Sequence, residues 1–257
     1  MAFSFLKNTK SFVHLSPIPL KAKEGEGCIL GVDEAGRGPV LGPMVYSACY
    51  HIPGMEDDFK DLGFDDSKVL NEIQRESLFE KINQNSDRIG YAIHSLSPSY
   101  ISSCMLGKEK YNLNALAHDT TINLIKRLLE EGVKIKEIYV DTVGIPEKYE
   151  AKLNSHFPYI RIKVSKKADS LYPSVSAASI CAKVTRDSVL KNWDFNELDA
   201  LSLKPSREFG SGYTSDVNTV NWLNNNIDPL FGWPSIIRFS WSTCERLLED
   251  KGIQVRW

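Results

Sequence analysis

The sequence has little of what marks secreted, membrane and zinc-binding proteins. Its 257 residues include five cysteines, an odd number, and none of them forms a C-x-x-C pair. This usage argues against a disulfide framework and a thiolate zinc site, and it predicts a reducing compartment. No apolar run reaches the length of a transmembrane helix. The motifs of serine hydrolases, cysteine hydrolases and Walker-type nucleotide-binding proteins are also absent.

Net charge is also small. A formal charge of −2 at pH 7 does not by itself indicate a nucleic-acid-binding protein. The charges are distributed unevenly, however, since residues 161–191 carry seven Lys or Arg and two Asp. Residues 54–66 carry six acidic residues and one Lys. The basic segment is compatible with a track for phosphate groups, and a solvated surface is the alternative that charge alone favours.

The first 27 residues lack the apolar core of a signal peptide. Phe3, Phe5 and Leu6 form a short, broken apolar patch, and two prolines follow it. We therefore expect residues 1–27 to form a poorly ordered N-terminal arm, and a processed leader is the alternative.

What the sequence does contain is a stretch in which an apolar strand meets two carboxylates. Residues 28–32 have the length and composition of a strand, and Asp33 and Glu34 follow directly. Carboxylates at the end of a buried strand are costly unless a cation neutralises them, and all-oxygen ligands favour Mg²⁺ or Mn²⁺. The next four residues, Ala-Gly-Arg-Gly, let the backbone approach a ligand closely.

Strand and helix patterns follow one another along most of the chain. Apolar or alternating runs predict five strands, at residues 28–32, 40–51, 89–96, 138–140 and 159–164. Periodicity and capping residues predict helices at residues 70–83, 98–106, 114–131, 146–156 and 173–193. This order indicates an α/β fold with a mixed sheet and helices on both faces. From residue 196 onward, frequent Pro and Gly indicate a helical appendage packed beside the sheet.

Four acidic residues lie at or just beyond the carboxyl ends of predicted strands: Asp33, Glu34, Asp141 and Asp169. Ligands of α/β sheets bind at that edge, so three distant segments are predicted to converge on one metal site. Side chains of adjacent strand residues point to opposite faces, so Asp33 and Glu34 share a site only if the chain bends, which the following Ala-Gly permits. A turn cap is the alternative for Asp141, and a helix N-cap is the alternative for Asp169.

The stretch D-E-A-G-R-G-P-V-L-G-P-M-V-Y, residues 33–46, resembles the signature of type 2 ribonuclease H. Six further motifs occur in that family's order: D-D-S-K (65–68), Y-N-L-N (111–114) with H-D-T (118–120), Y-V-D-T-V-G (139–144), K-K-A-D-S (166–170), A-K-V-T-R-D (182–187) and G-S-G-Y (210–213). One such motif alone is weak, but seven in sequence are specific. Two motifs resemble those of the eukaryotic catalytic subunit more than those of the single-chain bacterial form: Y-V-D-T-V-G and the C-terminal G-W-P-S-I-I-R-F-S-W.

The resemblance implies a ribonuclease H-like fold, with a five-stranded mixed sheet flanked by helices over residues 28–195 and a C-terminal helical extension over residues 196–257. It implies a metal-dependent endoribonuclease that hydrolyses the RNA strand of RNA/DNA hybrids. The family also cuts 5′ of single ribonucleotides embedded in duplex DNA, leaving 5′-phosphate and 3′-hydroxyl ends. A nuclear role in ribonucleotide removal during DNA replication and repair is therefore implied.

By the same resemblance, two Mg²⁺ ions, for which Mn²⁺ substitutes, would act when substrate is bound. Asp33 would bridge both ions and Asp141 would hold the ion that activates water. Glu34 and Asp169 would complete the two coordination shells. Eukaryotic members work as a heterotrimer with two non-catalytic subunits, and we expect the same assembly here.

The resemblance also implies residues that bind the substrate sugar. Gly36, Arg37 and Gly38 resemble the family's ribose-sensing loop, whose backbone contacts the 2′-hydroxyl that separates RNA from DNA. An ordinary tight turn is the alternative. Tyr213, in G-S-G-Y, matches the tyrosine that family members place against the sugar and base at an RNA–DNA junction. A structural tyrosine is the alternative there.

Basic and polar side chains are candidates for further contacts with the substrate. Lys183 and Arg186 lie three apart on one face of a predicted helix. Local pairing with Asp187 is the alternative for Lys183, whereas family position favours a phosphate contact for Arg186. Lys68, in D-D-S-K, is a similar candidate, and Asn112 is a candidate for reading the minor groove of the DNA strand.

Two rival functions follow from the same residues. A non-catalytic nucleic-acid-binding scaffold would not need four carboxylates. A DNA nuclease or a strand transferase would keep the fold, and activity on substrates without any 2′-hydroxyl separates these enzymes from ribonuclease H. His118 lies within a helical pattern, and we expect a structural role for it.

Overall fold

The computed structural model describes residues 9–55, 59, 62–64, 70–109, 111–142, 144–195, 197–198 and 205–254. Within them, six strands form one mixed sheet: β1 (Phe12–Leu15), β2 (Cys28–Ala35), β3 (Met44–His51), β4 (Ile89–Leu96), β5 (Ile135–Asp141) and β6 (Arg161–Ser165). Their order in the sheet is β1-β4-β3-β2-β5-β6. Neighbours among β1 to β4 pair antiparallel, whereas β5 pairs parallel with both β2 and β6. The predicted α/β fold with a mixed sheet is confirmed.

The expected number of five strands was wrong, because the N-terminal segment contributes β1. Residues 1–27 were expected to form a poorly ordered arm, yet β1 pairs antiparallel with β4. Side chains beside the strand extend the pairing: the Tyr91 N–H donates to Ser16 Oγ at 2.8 Å, and the Ser97 N–H donates to Ser11 Oγ at 2.9 Å. Four residues carry too little periodicity to show a strand whose partner lies about 80 positions away. Residues 1–8 lie outside the described residues.

Eight helices surround the sheet in the described ranges: α1 (Leu20–Glu24), α2 (Glu72–Gln84), α3 (Pro98–Leu106), α4 (Leu113–Glu130), α5 (Pro146–His156), α6 (Pro173–Lys191), α7 (Val217–Asn225) and α8 (Ser242–Lys251). Local chemistry sets several of their starts. Asn71 and Gln74 form a capping box before α2, with two reciprocal bonds of 2.9 Å. Ser97 caps α3, where Pro98 occupies the first turn. Across the described residues, none of these helices combines the length and the apolar character needed to cross a membrane.

The two faces of the sheet carry separate apolar clusters. α4 and α5 cover one face, which includes Leu30, Val32, Ile138 and Val140. α6 and α2 cover the other face, where α6 presents small residues to the sheet: Ala177, Ala178, Cys181 and Ala182. These small side chains bring α6 so close to β2 that a Cβ at Gly31 would lie 2.1 Å from the carbonyl carbon of Ser174. Helix α6 is therefore held tightly against the strand that carries the first two carboxylates.

The C-terminal extension packs on the segment between β2 and β3. Its apolar cluster includes Val40, Leu41, Trp193, Trp222 and Ile237. Residues 40–43 were predicted to begin the second strand, but β3 starts only at Met44. Residues 40–42 instead pair with the extension, through the Arg238 N–H to the Val40 carbonyl and the Gly42 N–H to the Ile236 carbonyl, both at 2.8 Å. An apolar run alone does not reveal which partner its backbone will find.

A methyl group at Gly31 tests how tightly α6 packs on β2. Gly31→Ala places its Cβ against Ser174 backbone, which cannot rotate away, so we expect unfolding free energy to fall by about 3 kcal/mol or more. Gly144→Ala is the matched control, because its Cβ would meet only Thr142 Oγ1 at 3.7 Å. Denaturant unfolding of both variants measures the difference. Equal stabilities would contradict the close packing.

Candidate active site

Two parallel strands end side by side near the centre of the sheet. β2 and β5 pair with Val32 beside Val140, so the next residues, Asp33 and Asp141, follow at the same edge. Asp33 is only 6% exposed, and burying a carboxylate away from water is costly. The structure therefore brings together two of the predicted acidic residues that lie more than 100 positions apart in the chain.

The expected bend at Asp33 and Glu34 is not what joins these residues. β2 stays extended through Ala35, and the turn starts at Gly36. Asp33 lies towards α6, where it bonds the Ser179 side chain, and its Oδ1 accepts the Glu34 N–H at 2.7 Å. Glu34 lines a cavity on the other face together with Asp141. The two adjacent carboxylates thus flank the strand end, as the alternation of a strand requires.

Burial and mutual repulsion disfavour the charged forms of these acids. Burial raises the pKa of Asp33 well above its ordinary value, and the charges of Glu34 and Asp141 raise it further. Burial likewise raises the pKa of Glu34 to about 7, Arg37 opposes that rise, and Asp141 adds to it. The carboxylate cluster, Asp33, Glu34 and Asp141, therefore carries negative charge that the surrounding protein does not fully compensate.

A turn after β6 brings Asp169 to the same region. The Ala168 N–H donates to Asp141 Oδ1 at 2.9 Å, and Asp169 is the next residue, buried with 3% exposure. Lys167 makes this turn in the left-handed region at φ 57°, and it is the one non-glycine residue with a positive φ in the described ranges. Such a conformation is unfavourable for a lysine and persists because the surrounding contacts hold it.

A cavity of about 240 Å³ opens between the sheet end and the helices α4 and α5. Its lining includes Glu34 and Asp141 from the sheet, Arg37 from the loop after β2, and Asn114 and His118 from α4. Arg37 donates to Asn114 Oδ1, which ties the loop after β2 to the start of α4. The cavity thus places two of the carboxylates, Glu34 and Asp141, in one lining with the Arg37 guanidinium.

The loop after β2 is built on glycines for steric reasons. Gly36 has φ +77°, and a Cβ there would lie 2.3 Å from Arg186 Nε and 2.7 Å from the Pro43 carbonyl oxygen. A Cβ at Gly38 would lie 3.0 Å from Tyr213 Cε1. The predicted ribose-sensing residues Gly36, Arg37 and Gly38 thus lie between Arg186 and Tyr213. This arrangement joins three predicted substrate-binding motifs in one place.

Tyr213 reaches this loop through the G-S-G-Y turn. The Val40 N–H donates to the Gly212 carbonyl at 2.8 Å, and the Gly212 N–H donates to Thr219 Oγ1 of α7 at 2.9 Å. The Tyr213 side chain nevertheless stays 47% exposed. An aromatic ring that is fixed at its backbone and open on one side is suited to stacking.

Arg186 is a buried cation with unused donors. Its side chain is 13% exposed, and burial lowers its pKa. Nη1 lies 3.9 Å from Asp187, but Nε and Nη2 have no hydrogen-bond partner in the described part of the chain. Asp187 accepts a shorter bond, 3.0 Å, from Arg75 of α2. An anion that reached the free N–H groups of Arg186 would satisfy them.

The remaining predicted contacts have weaker structural support. Lys183 lies half-buried on α6, on the same helix as Arg186. Asn112 caps α4 by accepting the Ala115 N–H at 2.9 Å, a structural role that its sequence position before a helix could have shown. Lys68 lies outside the described residues.

The donor set fits a hard cation in its chemistry. Across the described residues, no three His, Cys, Asp or Glu side chains are grouped to hold a metal ion as they stand. The carboxylate cluster nevertheless offers only oxygen donors, and the charge of Asp141 raises the pKa of both Asp33 and Glu34. A divalent cation is the ligand that such uncompensated charge favours.

Comparison with known proteins identifies the family. Residues 30–244 match Ribonuclease HII. The chain belongs to this family. A Ribonuclease H2 subunit of Bos taurus is 49% identical over 243 residues, which cover 94% of this chain and 80% of the bovine protein. The corresponding Ribonuclease H2 subunit of Mus musculus is 50% identical, with 94% and 79% covered. The solved ribonuclease H2 from Pyrococcus horikoshii OT3 is similar with a TM-score of 0.71 at 31% identity, over 87% of this chain and 98% of that one.

Membership in the Ribonuclease HII family makes the chain a ribonuclease H enzyme, and the predicted ribonuclease H-like fold is confirmed. Two cavity residues of this family member were not predicted to belong to the site. The sequence indicates Asn114 only as a member of the Y-N-L-N motif, and it predicts a structural role for His118. His118 lines the cavity, where its ring stacks on Tyr149 at 3.8 Å and 9°. Spacing on α4 could not show which of its faces meets the cavity.

The pKa of Glu34 makes stability depend on pH in the metal-free protein. Because folding raises this pKa from an ordinary 4.5 to about 7, the folded state binds the proton more tightly than the unfolded state. The resulting stability is fully present below about pH 4.5 and is lost as pH rises through about 7. Between these pH values the free energy of unfolding of the wild type should fall. Glu34→Gln stays neutral, so we expect its free energy of unfolding to fall by about 2 to 3 kcal/mol less.

Denaturant unfolding at several pH values between 4.5 and 8, in buffer with EDTA, measures this difference. Glu76→Gln, exposed on α2, is the control and should follow the wild-type pH dependence. Parallel curves for the wild type and Glu34→Gln would show that Glu34 is not destabilised by its surroundings.

Proposed function

We propose that this ribonuclease H is a metal-dependent endoribonuclease that cuts the RNA strand of RNA/DNA hybrids and also cuts 5′ of single ribonucleotides in duplex DNA. One observation carries the proposal: β2 delivers the carboxylates Asp33 and Glu34, and the loop that follows at once lies between Arg186 and Tyr213. Acidic residues for a metal and contacts for a sugar and a phosphate are therefore adjacent. The products would be 5′-phosphate and 3′-hydroxyl ends.

The proposed metal ligands are the carboxylate cluster and Asp169. Two bound Mg²⁺ ions, for which Mn²⁺ would substitute, would activate a water molecule and stabilise the leaving oxygen. The protein's part is to hold the four acids at one edge of the sheet. Asp33 is fixed by the Glu34 N–H and by the Ser179 side chain, and Asp141 is fixed by the Ala168 N–H, so each acid is held at its strand end.

The substrate contacts follow from groups that the protein leaves exposed or unsatisfied. The free N–H groups of Arg186 suit a phosphate oxygen, since guanidinium groups bind phosphates through paired donors. Gly36 and Gly38 carry no Cβ, so the loop backbone packs directly against Arg186 and Tyr213, the groups proposed to contact the phosphate and the sugar. Tyr213 presents an exposed ring beside Gly38, where the sugar and base at an RNA–DNA junction would stack.

The rival functions fit the same residues less well. A scaffold that only bound nucleic acid would be weakened by buried carboxylates, which repel phosphates and cost folding free energy. A DNA nuclease would not need a glycine loop in close contact with the sugar. Cleavage that requires a 2′-hydroxyl distinguishes ribonuclease H from both.

The assembly is a further part of the proposal. The bovine and murine relatives are each named as one subunit of Ribonuclease H2. We propose that this chain likewise forms a heterotrimer with two non-catalytic subunits and acts in the nucleus. Co-purification of the tagged chain from its own cells would test the number of partners.

Removing the central carboxylate tests the metal mechanism. Asp33→Ala removes a ligand proposed to touch both ions, so we expect Mg²⁺-dependent cleavage to fall by about a thousandfold or more. The assay uses a labelled duplex with one ribonucleotide and a titration of Mg²⁺, together with thermal unfolding. Asp87→Ala, whose carboxylate is 73% exposed in a turn, should keep wild-type activity. Turnover retained by folded Asp33→Ala would refute the assignment.

Tyr213 should matter most at an RNA–DNA junction. A stacked base contributes about 1 to 3 kcal/mol, so Tyr213→Ala should slow cleavage at a single ribonucleotide about tenfold more than cleavage within a long hybrid. Tyr213→Phe keeps the ring and should retain most of the activity. Tyr159→Ala, on a side chain 99% exposed elsewhere, is the control. The same loss on both substrates would exclude a junction role.

A further inference from the structure

Arg238, in the C-terminal R-F-S-W, is buried beneath the glycine loop. Its side chain is 0% exposed and its three donor nitrogens each reach a backbone carbonyl: Nε to Gly42 at 2.8 Å, Nη1 to Arg37 at 3.0 Å and Nη2 to Gly36 at 2.6 Å. The guanidinium also lies 4.9 Å from the ring centre of Trp241. One side chain thus connects the last part of the chain to a loop that is about 200 positions earlier.

The burial of this cation is electrostatically unfavourable. The charged or ionisable groups that act on it are Arg186, Tyr213 and Tyr46, and no carboxylate is among them in the described residues. Burial and the Arg186 charge lower the pKa of Arg238 to about 9, so the side chain is still a cation at neutral pH. A neutral donor would avoid this cost, which indicates that the three-way geometry of a guanidinium is what the loop requires.

Because the peptide bond is planar, these contacts to carbonyl oxygens also fix the direction of the neighbouring N–H groups. In a trans peptide the carbonyl oxygen and the next N–H point in opposite directions in one plane. The bonds to the Gly36 and Arg37 carbonyls therefore orient the N–H groups of Arg37 and Gly38 away from Arg238. Neither N–H has an acceptor in the described part of the chain. Two oriented, unused donors lie between Arg186 and Tyr213, where the substrate sugar is proposed to bind.

We propose that Arg238 is a positioning residue that sets the enzyme's selectivity for a 2′-hydroxyl, by aiming the Arg37 and Gly38 N–H groups at the substrate. The inference rests on the proposed function, since it assumes that the loop meets the sugar. Each donor nitrogen of Arg238 is used by a carbonyl of the loop, so Arg238 would act on the substrate through the loop backbone. Loss of its geometry should therefore weaken recognition of the ribonucleotide without weakening general attraction to DNA phosphates.

Arg238→Lys tests this role, because lysine keeps the charge but cannot bridge three carbonyls in a fixed plane. Fluorescence anisotropy with Ca²⁺ in place of Mg²⁺ would give the Kd for a duplex with one ribonucleotide and for the same duplex made only of DNA. The ratio of these constants is the readout. A partly unfolded variant weakens both constants equally, so a purely structural effect leaves the ratio unchanged.

Arg207→Lys is the matched control. Arg207 belongs to the same extension and donates to the carbonyls of Lys191 and Trp193, at 3.2 and 2.7 Å, with its guanidinium 5.4 Å from the Phe195 ring. Its contacts are of the same kind but lie away from the glycine loop. Arg207→Lys should keep the wild-type preference for the ribonucleotide duplex, whereas Arg238→Lys should lower that preference about tenfold or more, which corresponds to one or two lost hydrogen bonds.

Each outcome bears on a different statement. A tenfold lower preference in Arg238→Lys, with Arg207→Lys unchanged, supports the positioning role, and Arg238→Gln should give the same direction. A wild-type preference in both Arg238 variants, with only a lower Tm, would reduce Arg238 to a structural residue and overturn the inference. A wild type that binds both duplexes equally would overturn the proposed sugar contact itself, and the inference with it.

Discussion

The structure depends on like charges held together at the ends of two parallel strands. The pairing of β2 with β5 places Asp33 beside Asp141, and the alternation of β2 puts Glu34 on the other face of the same edge. The charges of Glu34 and Asp141 raise the pKa of Asp33, and Asp141 also raises that of Glu34, so folding works against the repulsion between the acids. Two features resist this repulsion. Helix α6 packs closely on β2, and the Ala168 N–H donates to Asp141. The rigid frame around the acids holds them at one edge of the sheet in spite of that repulsion.

A second constraint is that the loop after β2 depends on contacts from other segments to fix its conformation. Its glycines allow close contacts but leave the backbone without side chains to fix it. The support comes from the C-terminal extension, through Arg238 to the carbonyls of Gly36 and Arg37 and through Trp241 Nε1 to the Gly38 carbonyl at 2.9 Å. The extension therefore supports the loop of the candidate active site as well as covering the apolar segment at Val40.

Much of this arrangement could be predicted from local patterns, and the rest could not. Apolar runs that end in Asp or Glu showed the acidic edge, and the motif order showed the family. The edge strand β1 and the pairing of residues 40–42 with the extension escaped prediction, because their partners are distant and their own patterns are short or ambiguous. Arg238 was visible only as a letter in a motif. Its importance comes from the three carbonyls that folding brings to it.

The charges of the site also explain why net charge was a poor guide to function. A cluster of buried acids and a pair of buried guanidinium groups, Arg186 and Arg238, lie on either side of one loop and cancel in any count over the whole chain. Locally neither set of charges is fully compensated, since Arg37 only opposes the pKa rise of Glu34 and Asp187 lies 3.9 Å from Arg186. A divalent cation would relieve the acids and a phosphate would relieve Arg186, so the proposed metal and substrate each reduce a cost that folding has left in place.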